Sequence, residues 1–168
     1  MGSSEGRKLE AGLESSSPPK FVRNMAVRVK VRIKPLKGGR GEFESSALVN
    51  SGFETEGAEI AMPPDATREI ELWPDLPQEA TVEQYSSAGG GKVNVHLVEE
   101  CLEVQVITED KRSDPTIADM IVLEGEDEIL IGDKLASKQG IVIEDPGEGI
   151  WRFKDERKER NTESAEYW

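Results

Sequence analysis

The sequence predicts an all-β, barrel-like fold, and three observations support this class. Short segments with alternating apolar and polar side chains recur along the chain, turns rich in Gly and Pro separate them, and one segment has a helical pattern. Hydrophobic residues make up 36% of the 168 residues and charged residues 33%, so the chain can bury only a modest core.

The first two strands form a predicted hairpin. Apolar and cationic residues alternate through residues 26–33, which predicts a half-buried strand with one solvated, cationic face. The cations of this face are Arg28, Lys30 and Arg32. Pro35 and the Lys-Gly-Gly sequence at 37–39 end the strand in a turn, and residues 42–49 form the returning strand.

The middle of the chain contains a loop and a second predicted hairpin. Pro63 and Pro64 lie in the loop, and residues 69–72 form a short strand or a helical turn. Strands flank the Gly-rich stretch 86–91, so residues 80–98 are predicted to form a hairpin with a Gly-rich tip.

The remaining elements are short strands and the single predicted helix. The helix covers residues 133–139, with Asp133 as its N-cap and Gly140 just beyond its end. The predicted strands are residues 101–108, 118–123, 128–131, 141–143 and 151–153.

Composition divides the chain into one domain between two polar segments. Residues 1–24 are polar and include a Ser-Ser-Ser-Pro-Pro stretch, so they are predicted to be a disordered extension or an expression leader. Residues 25–153 form the predicted domain. Residues 154–168 form a charged C-terminal tail that is expected to fray.

Charge is distributed unevenly along the chain. Residues 1–40 hold ten cations and three anions, a net charge of +7, whereas the other 128 residues hold 11 cations and 31 anions, a net charge of −20. An acidic body argues against nucleic-acid binding because it repels phosphates. The cationic strand face leaves an anionic partner as a further hypothesis, although these cations can also pair with the acidic body.

Several other classes are excluded by the sequence. No apolar run approaches the roughly 18 residues of a membrane span, and the first 20 residues lack the apolar core of a secretory signal. A single cysteine, Cys101, excludes an internal disulfide and a cysteine-rich zinc site. These features predict a cytoplasmic protein without membrane contact, and no cofactor is expected.

Residues of the types used in catalysis are few. His96 is the only possible base for a Ser or Cys triad, but no nucleophile elbow accompanies it, so it is interpreted as a strand-face residue. Cys101 is interpreted as a small buried hydrophobe. The Gly-Gly-Gly sequence at 89–91 is not a phosphate loop, because neither Gly-Lys-Ser/Thr nor a helix follows it. The acidic groups around Glu59 and Glu124 lack an EF-hand pattern and are interpreted as solvated loop charge.

Two apolar segments end in glycine motifs on either side of the second hairpin. Residues 47–53 read Ala-Leu-Val-Asn-Ser-Gly-Phe, and residues 129–132 read Ile-Leu-Ile-Gly before the predicted helix. In this order the motifs resemble the retropepsin-like aspartic proteases, whose pattern is Val-Asp-Thr/Ser-Gly, a flap hairpin, then Ile-Leu-Ile/Leu-Gly and a short helix. The Phe after the first glycine is similar to an archaeal and bacterial subgroup with the signature Asp-Thr-Gly-Phe. The resemblance covers about residues 25–153.

The resemblance implies a closed acid-protease barrel of six or more strands, a homodimer, and an endopeptidase that acts on extended polypeptide. The family's catalytic position falls on Asn50, and Ser51 and Gly52 complete the loop motif. Phe53 is an implied substrate contact, as are residues of the flap. These flap residues are Tyr85, Ser87, Gly89 and Gly90.

Asn50 departs from the family pattern at the reacting group. In the family two chains each supply one aspartate, the pair shares a proton, and the ionised member activates water. An amide cannot take that proton, and general-base catalysis contributes about 10²–10⁴ in rate, so the chain is predicted to be inactive as a peptidase. Three explanations stay open, namely an engineered inactive variant, a natural pseudoenzyme and a coincidental match. The alternative function is a non-enzymatic peptide-binding module on the same barrel.

Overall fold

The computed structural model of the chain describes residues 26–49, 57–86 and 91–168, with only the backbone described for Tyr85 and Ser86. These residues are mostly β, which confirms the predicted class. In chain order the elements are β1 (Arg28–Pro35), β2 (Phe43–Val49), β3 (Glu59–Met62), α1 (Pro64–Arg68), β4 (Thr81–Ser86), β5 (Lys92–Val106), β6 (Thr116–Leu123), β7 (Leu130–Ile131), α2 (Asp133–Lys138), β8 (Ile141–Asp145), β9 (Ile150–Phe153) and β10 (Arg160–Asn161).

Six strands close into a barrel, as expected. The order around the ring is β1-β2-β7-β3-β6-β5, and β5 pairs back onto β1. Strand β4 is added to β5 outside the ring, and β8, β9 and β10 form a separate small sheet. The barrel interior is filled by aliphatic and Met side chains that are fully buried. They include Val29, Val31, Ile33, Ile60, Met62, Leu102, Met120 and Ile131.

Strand β5 replaces two strands that the sequence predicts separately. It is continuous from Lys92 to Val106, with a register shift between Val98 and Leu102. Glu100 lies within this bulge and has a φ of +48°. Both parts of β5 pair with β6, whereas on the other edge the first part pairs with β4 and the second with β1, so the bulge lies where β5 changes its partner.

Two elements in the loop after residue 56 were not predicted, and the described residues contain two short helices rather than one. Strand β3 buries Ile60 and Met62, and α1 begins at Pro64, where a missing N–H costs nothing. The second helix, α2, occupies the predicted position. Its N-cap is Gly132 rather than Asp133. Gly140 follows its end with a φ of +77°, as the sequence indicated.

The charged C-terminal segment does not show the expected fraying. We call residues 160–168 the C-terminal strap. The Glu163 N–H donates to the Arg28 carbonyl at 2.8 Å, and the Trp168 N–H donates to the Asp127 carbonyl at 2.8 Å. Arg160 and Lys158 both bind the Asp110 carboxylate, and they hold its pKa well below its usual range. Opposite charges on the barrel therefore retain a segment whose composition alone suggests a tail.

The cationic face of β1 is also only partly solvated, and the prediction is wrong for Arg28. Its side chain is buried and forms an ion pair with Glu128, which lies just before β7. Arg32 is partly exposed, near Glu42 and Glu44. Strand alternation identified the cationic face of β1 correctly. It could not show that the distant segment around Glu128 covers this face at Arg28. No helix of the described residues is long and apolar enough to cross a membrane.

Candidate functional site

The strands that lead into the two glycine motifs of the sequence are neighbours in the barrel. Strand β2 runs parallel to β7, with Leu48 opposite Leu130 and Val49 opposite Ile131. The Leu48 N–H also donates to the Ile129 carbonyl at 2.8 Å. The end of the strand that leads to residue 50 is therefore held directly beside the second motif.

Strand β3 lies on the other side of β7. It runs antiparallel to β7, with Ile60 opposite Ile131, and the Gly132 N–H donates to the Glu59 carbonyl at 3.1 Å. Strand β7 thus separates the two strands that the segment after Val49 connects. Both ends of this connection are anchored at the junction of β7 and α2.

The predicted site residues themselves fall mostly outside the described ranges. Those outside are Asn50, Ser51, Gly52, Phe53, Ser87, Gly89 and Gly90. Tyr85 is described by its backbone, which pairs with Val93 in the β4–β5 hairpin. The hairpin predicted as a flap is present, with antiparallel register from Thr81 opposite Leu97 to Ser86 opposite Lys92.

A second apolar cluster lies on the outer face of the barrel, between these two predicted features. It is built on β2, β7, β3, β6 and β5, and alternation along β3 directs it away from the interior. We call it the outer apolar patch. Its buried members are Ala61, Val95, Ile121 and Leu130, and its partly buried members are Leu48, Leu97 and Leu123.

A continuous apolar run in β6 indicates this patch in the sequence. Residues 120–123 of β6 read Met-Ile-Val-Leu, without alternation. A short continuous apolar run is typical of a strand with two apolar faces. Met120 and Val122 belong to the interior, whereas Ile121 and Leu123 belong to the patch.

Four carboxylates border the patch, and we call them the acidic rim. Strand geometry places them on the same face as the patch. Each of them lies either two residues along a strand from a patch residue or opposite one on the neighbouring strand. The rim consists of Glu59 on β3, Asp119 on β6, Glu83 on β4 and Glu99 on β5. Glu59 and Asp119 are directly opposite each other in the parallel β3–β6 pair.

Glu59 is the most perturbed carboxyl of the rim. Burial raises its pKa to about 7, and the nearby carboxylates of Asp119, Glu83 and Glu99 add to this effect. The interpretation of Glu59 as solvated loop charge is therefore wrong. It lies in a strand, half buried, and the charges of the described residues that act on its pKa come from carboxylates.

Asp119 connects the rim to the hairpin and to the strand that follows the predicted catalytic loop. Its carboxylate accepts a hydrogen bond from the Glu100 N–H at 2.8 Å, at the β5 bulge. Its own N–H donates to the Ala58 carbonyl at 2.8 Å, just before β3. The base of the hairpin and the start of β3 thus share Asp119 as a hydrogen-bond partner.

The other sequence candidates lie away from this face. The His96 Nε2 is 3.1 Å from a Glu124 carboxylate oxygen, and its ring meets the edge of Trp73 at 5.0 Å. Its side chain points to the opposite face of β5 from Val95 and Leu97. Cys101 is fully buried, and burial raises the pKa of its thiol to about 11, which makes it unreactive. Within the described ranges no three His, Cys, Asp or Glu side chains are arranged to hold a metal ion.

Comparison with known proteins assigns no family to the chain. No protein-family model matches it, and no curated protein matches it at a significant level. The likeness to retropepsin-like proteases is a hypothesis that rests on the order of the sequence motifs.

Proposed function

We propose that the chain is a retropepsin-like barrel that binds extended polypeptide as a homodimer and lacks peptidase activity because Asn50 occupies the catalytic position. One observation carries the proposal. The parallel pairing of Leu48 with Leu130 holds the end of the strand that leads to Asn50 beside the Ile-Leu-Ile-Gly motif. A chance match of two short motifs does not require them to be neighbours in space.

The surroundings of this junction support peptide binding. The partly buried members of the outer apolar patch, Leu48, Leu97 and Leu123, lie between the junction and the β4–β5 hairpin, so a peptide there would contact apolar side chains. The hairpin strand β4 ends the sheet and presents exposed residues along Thr81, Val82 and Gln84. An extended peptide can pair with such an edge through main-chain hydrogen bonds.

Catalysis would require a carboxylate at position 50. In a homodimer two Asn50 amides would face the substrate, and neither accepts a proton from water at neutral pH. Two aspartates at these positions would share one proton and leave one ionised base. The chain's own groups thus account for binding without hydrolysis.

The Asn50→Asp substitution tests the enzymatic part. It should produce pepstatin-sensitive cleavage of unstructured peptides, strongest at acidic pH, whereas Asn50→Ala should stay inactive. Size-exclusion chromatography with light scattering establishes whether both variants are folded dimers. Complete inactivity of a folded Asn50→Asp dimer would contradict the proposal.

A non-enzymatic peptide-binding module on the same barrel is the second candidate. It is favoured because position 50 carries an amide, while the outer apolar patch and the edge strand β4 could bind a peptide without any catalytic group. Both candidates predict that the unaltered chain binds members of a peptide library, so the activity of the Asn50→Asp variant separates them. Saturable binding together with an inactive Asn50→Asp variant would favour the module.

A further inference from the structure

We infer that residues 18–25 of this chain dock in cis on the outer apolar patch, with Phe21 and Val22 against its partly buried leucines, which are Leu48, Leu97 and Leu123. Lys20 and Arg23 then lie beside the acidic rim. The inference rests on the proposed function only in treating the patch as the peptide-binding surface. It adds a regulatory element, because a docked segment would compete with peptide ligands.

The point at which the described chain begins supports this placement. The Val49 N–H donates to the Val27 carbonyl at 3.0 Å, so the chain enters β1 beside the end of β2. Leu48, the neighbour of Val49, is a member of the patch. The described part of the chain therefore begins at the edge of the patch.

The length of the segment also fits. From β2 to β5 the patch crosses four strand spacings, about 19 Å at the usual separation of strands. Lys20 is six residues before Ala26, a distance that an extended chain covers in about 20 Å. The residues between them can therefore span the patch, and the adjacent prolines 18 and 19 favour the extended conformation that a sheet face accepts.

Charge complementarity indicates which part of the N-terminal segment binds. The sequence Pro-Pro-Lys-Phe-Val-Arg-Asn-Met at 18–25 contains two cations, two adjacent bulky apolar residues and no anion. The charges that act on Glu59 all come from carboxylates, namely Asp119, Glu83 and Glu99. A segment that brings cations to the rim relieves this repulsion, whereas the stretch 1–17 carries three glutamates and offers less.

Carbodiimide cross-linking of the full chain, analysed by mass spectrometry of the monomeric fraction, tests the contact directly. The expected result is a link from Lys20 to rim carboxylates, with few links from Lys20 to Glu148 in the β8–β9 turn. High salt should reduce the rim links because exposed charge pairs are screened. Links found only between copies, or spread equally to Glu148, would overturn the inference.

Competition provides a second test. A labelled peptide of residues 16–25 should bind the full-length Lys20→Glu/Arg23→Glu variant about tenfold more tightly than the unaltered chain, because two attractions in cis become repulsions. The matched control is Arg7→Glu/Lys8→Glu, which makes the same charge change and should bind like the unaltered chain. Adding Glu83→Lys/Glu99→Lys to the Lys20→Glu/Arg23→Glu chain should abolish the gain. Equal binding to all chains would overturn the inference.

These readouts also separate the inference from the proposed function. Neither cross-linking nor peptide binding requires catalysis. If the Asn50→Asp chain stays inactive while the rim links form, the enzymatic proposal fails and cis docking stands. If that chain is active and adding Lys20→Glu/Arg23→Glu leaves its KM unchanged, cis docking fails and the enzymatic proposal stands.

Discussion

Arg28 and Glu128, one hundred residues apart, form a buried ion pair on the outside of the barrel. The Arg28 Nη2 lies 3.2 Å from the Glu128 Oε1, the Nε binds the other carboxylate oxygen, and both side chains are at most 3% exposed. The Arg28 backbone also contacts the C-terminal strap, through Thr162 and Glu163. The pair therefore joins β1, the entrance to β7 and the chain terminus.

Removal of one partner of this pair should be strongly destabilising. Glu128→Gln removes the carboxylate that binds the buried Arg28 side chain, so the free energy of unfolding should fall by about 3–5 kcal/mol in urea titrations. The double change Arg28→Met/Glu128→Leu removes both charges and should recover most of that loss. The control is Asp65→Asn, which removes one partner of the exposed Asp65–Arg68 pair and should change stability by about 0.5 kcal/mol or less. A small effect of Glu128→Gln would show that water reaches the pair.

Trp168 should contribute to stability although it ends the chain. Its ring meets Phe43 edge to face at 5.4 Å, and its Nε1 donates to the Ser45 hydroxyl at 3.2 Å. Because the side chain is half buried, Trp168→Ala should lower the free energy of unfolding by about 1–3 kcal/mol. Ser164→Ala, at an exposed strap position, should leave the urea midpoint nearly unchanged. Equal midpoints for both variants would show that the strap is frayed in solution.

Stability should depend on pH through Glu59. Its pKa is raised to about 7 in the folded protein from an ordinary value near 4.5, so the unfolded chain ionises first as the pH rises. The protonated carboxyl stabilises the fold fully below about pH 4.5, and this contribution is lost between about 4.5 and 7. Glu59→Gln should therefore be more stable than the unaltered chain at pH 8 by about 1–2 kcal/mol after allowance for solvent screening, with little difference at pH 4.5. Glu148→Gln is the exposed control, and a pH-independent effect of Glu59→Gln would contradict this assignment.

Two glycines in the first turn should respond differently to alanine. Gly39 has a φ of +65°, and a Cβ there would lie 2.5 Å from the Ile70 carbonyl oxygen. Gly41 has a φ of +76°, but no atom lies within 4 Å of its would-be Cβ. Gly41→Ala should cost about 1 kcal/mol of backbone strain, and Gly39→Ala clearly more, because the β1–β2 turn must also move away from Ile70. Thermal unfolding of both variants measures the difference. Equal costs would contradict the close approach of Gly39 to the Ile70 carbonyl.

The outer apolar patch should determine peptide affinity separately from the barrel core. Leu97 is a partly buried patch residue, and Leu97→Ser should weaken peptide binding by about five- to tenfold through lost apolar contact. Ile117 lies on the same side of the sheet, on β6, but is 55% exposed and outside the patch. Ile117→Ser is thus the matched control and should bind peptide as before. Equal binding by both variants would remove the patch from the peptide site.

Local sequence patterns were sufficient for most of the strands and for the helix after the second motif. Alternation predicted β1 and both parts of β5, the hairpin pattern predicted β2 and β4, and Gly140 predicted the end of α2. Strand β3 and helix α1 were missed because Pro63 and Pro64 suggested a loop. Their burial depends on pairing with β7 and β6, which are distant in the chain.

The sequence by itself determined the class of fold, the positions of the two hairpins and the identity of Asn50, since these depend on neighbours within a few residues. Only the tertiary structure decided that Leu48 meets Leu130, that Arg28 is buried against Glu128, and that the pKa of Glu59 is raised. Burial and charge environment are set by residues that are far apart in the chain and are brought together only when the barrel closes. Strand alternation gives the direction of a side chain, but the element that covers it is decided by the fold.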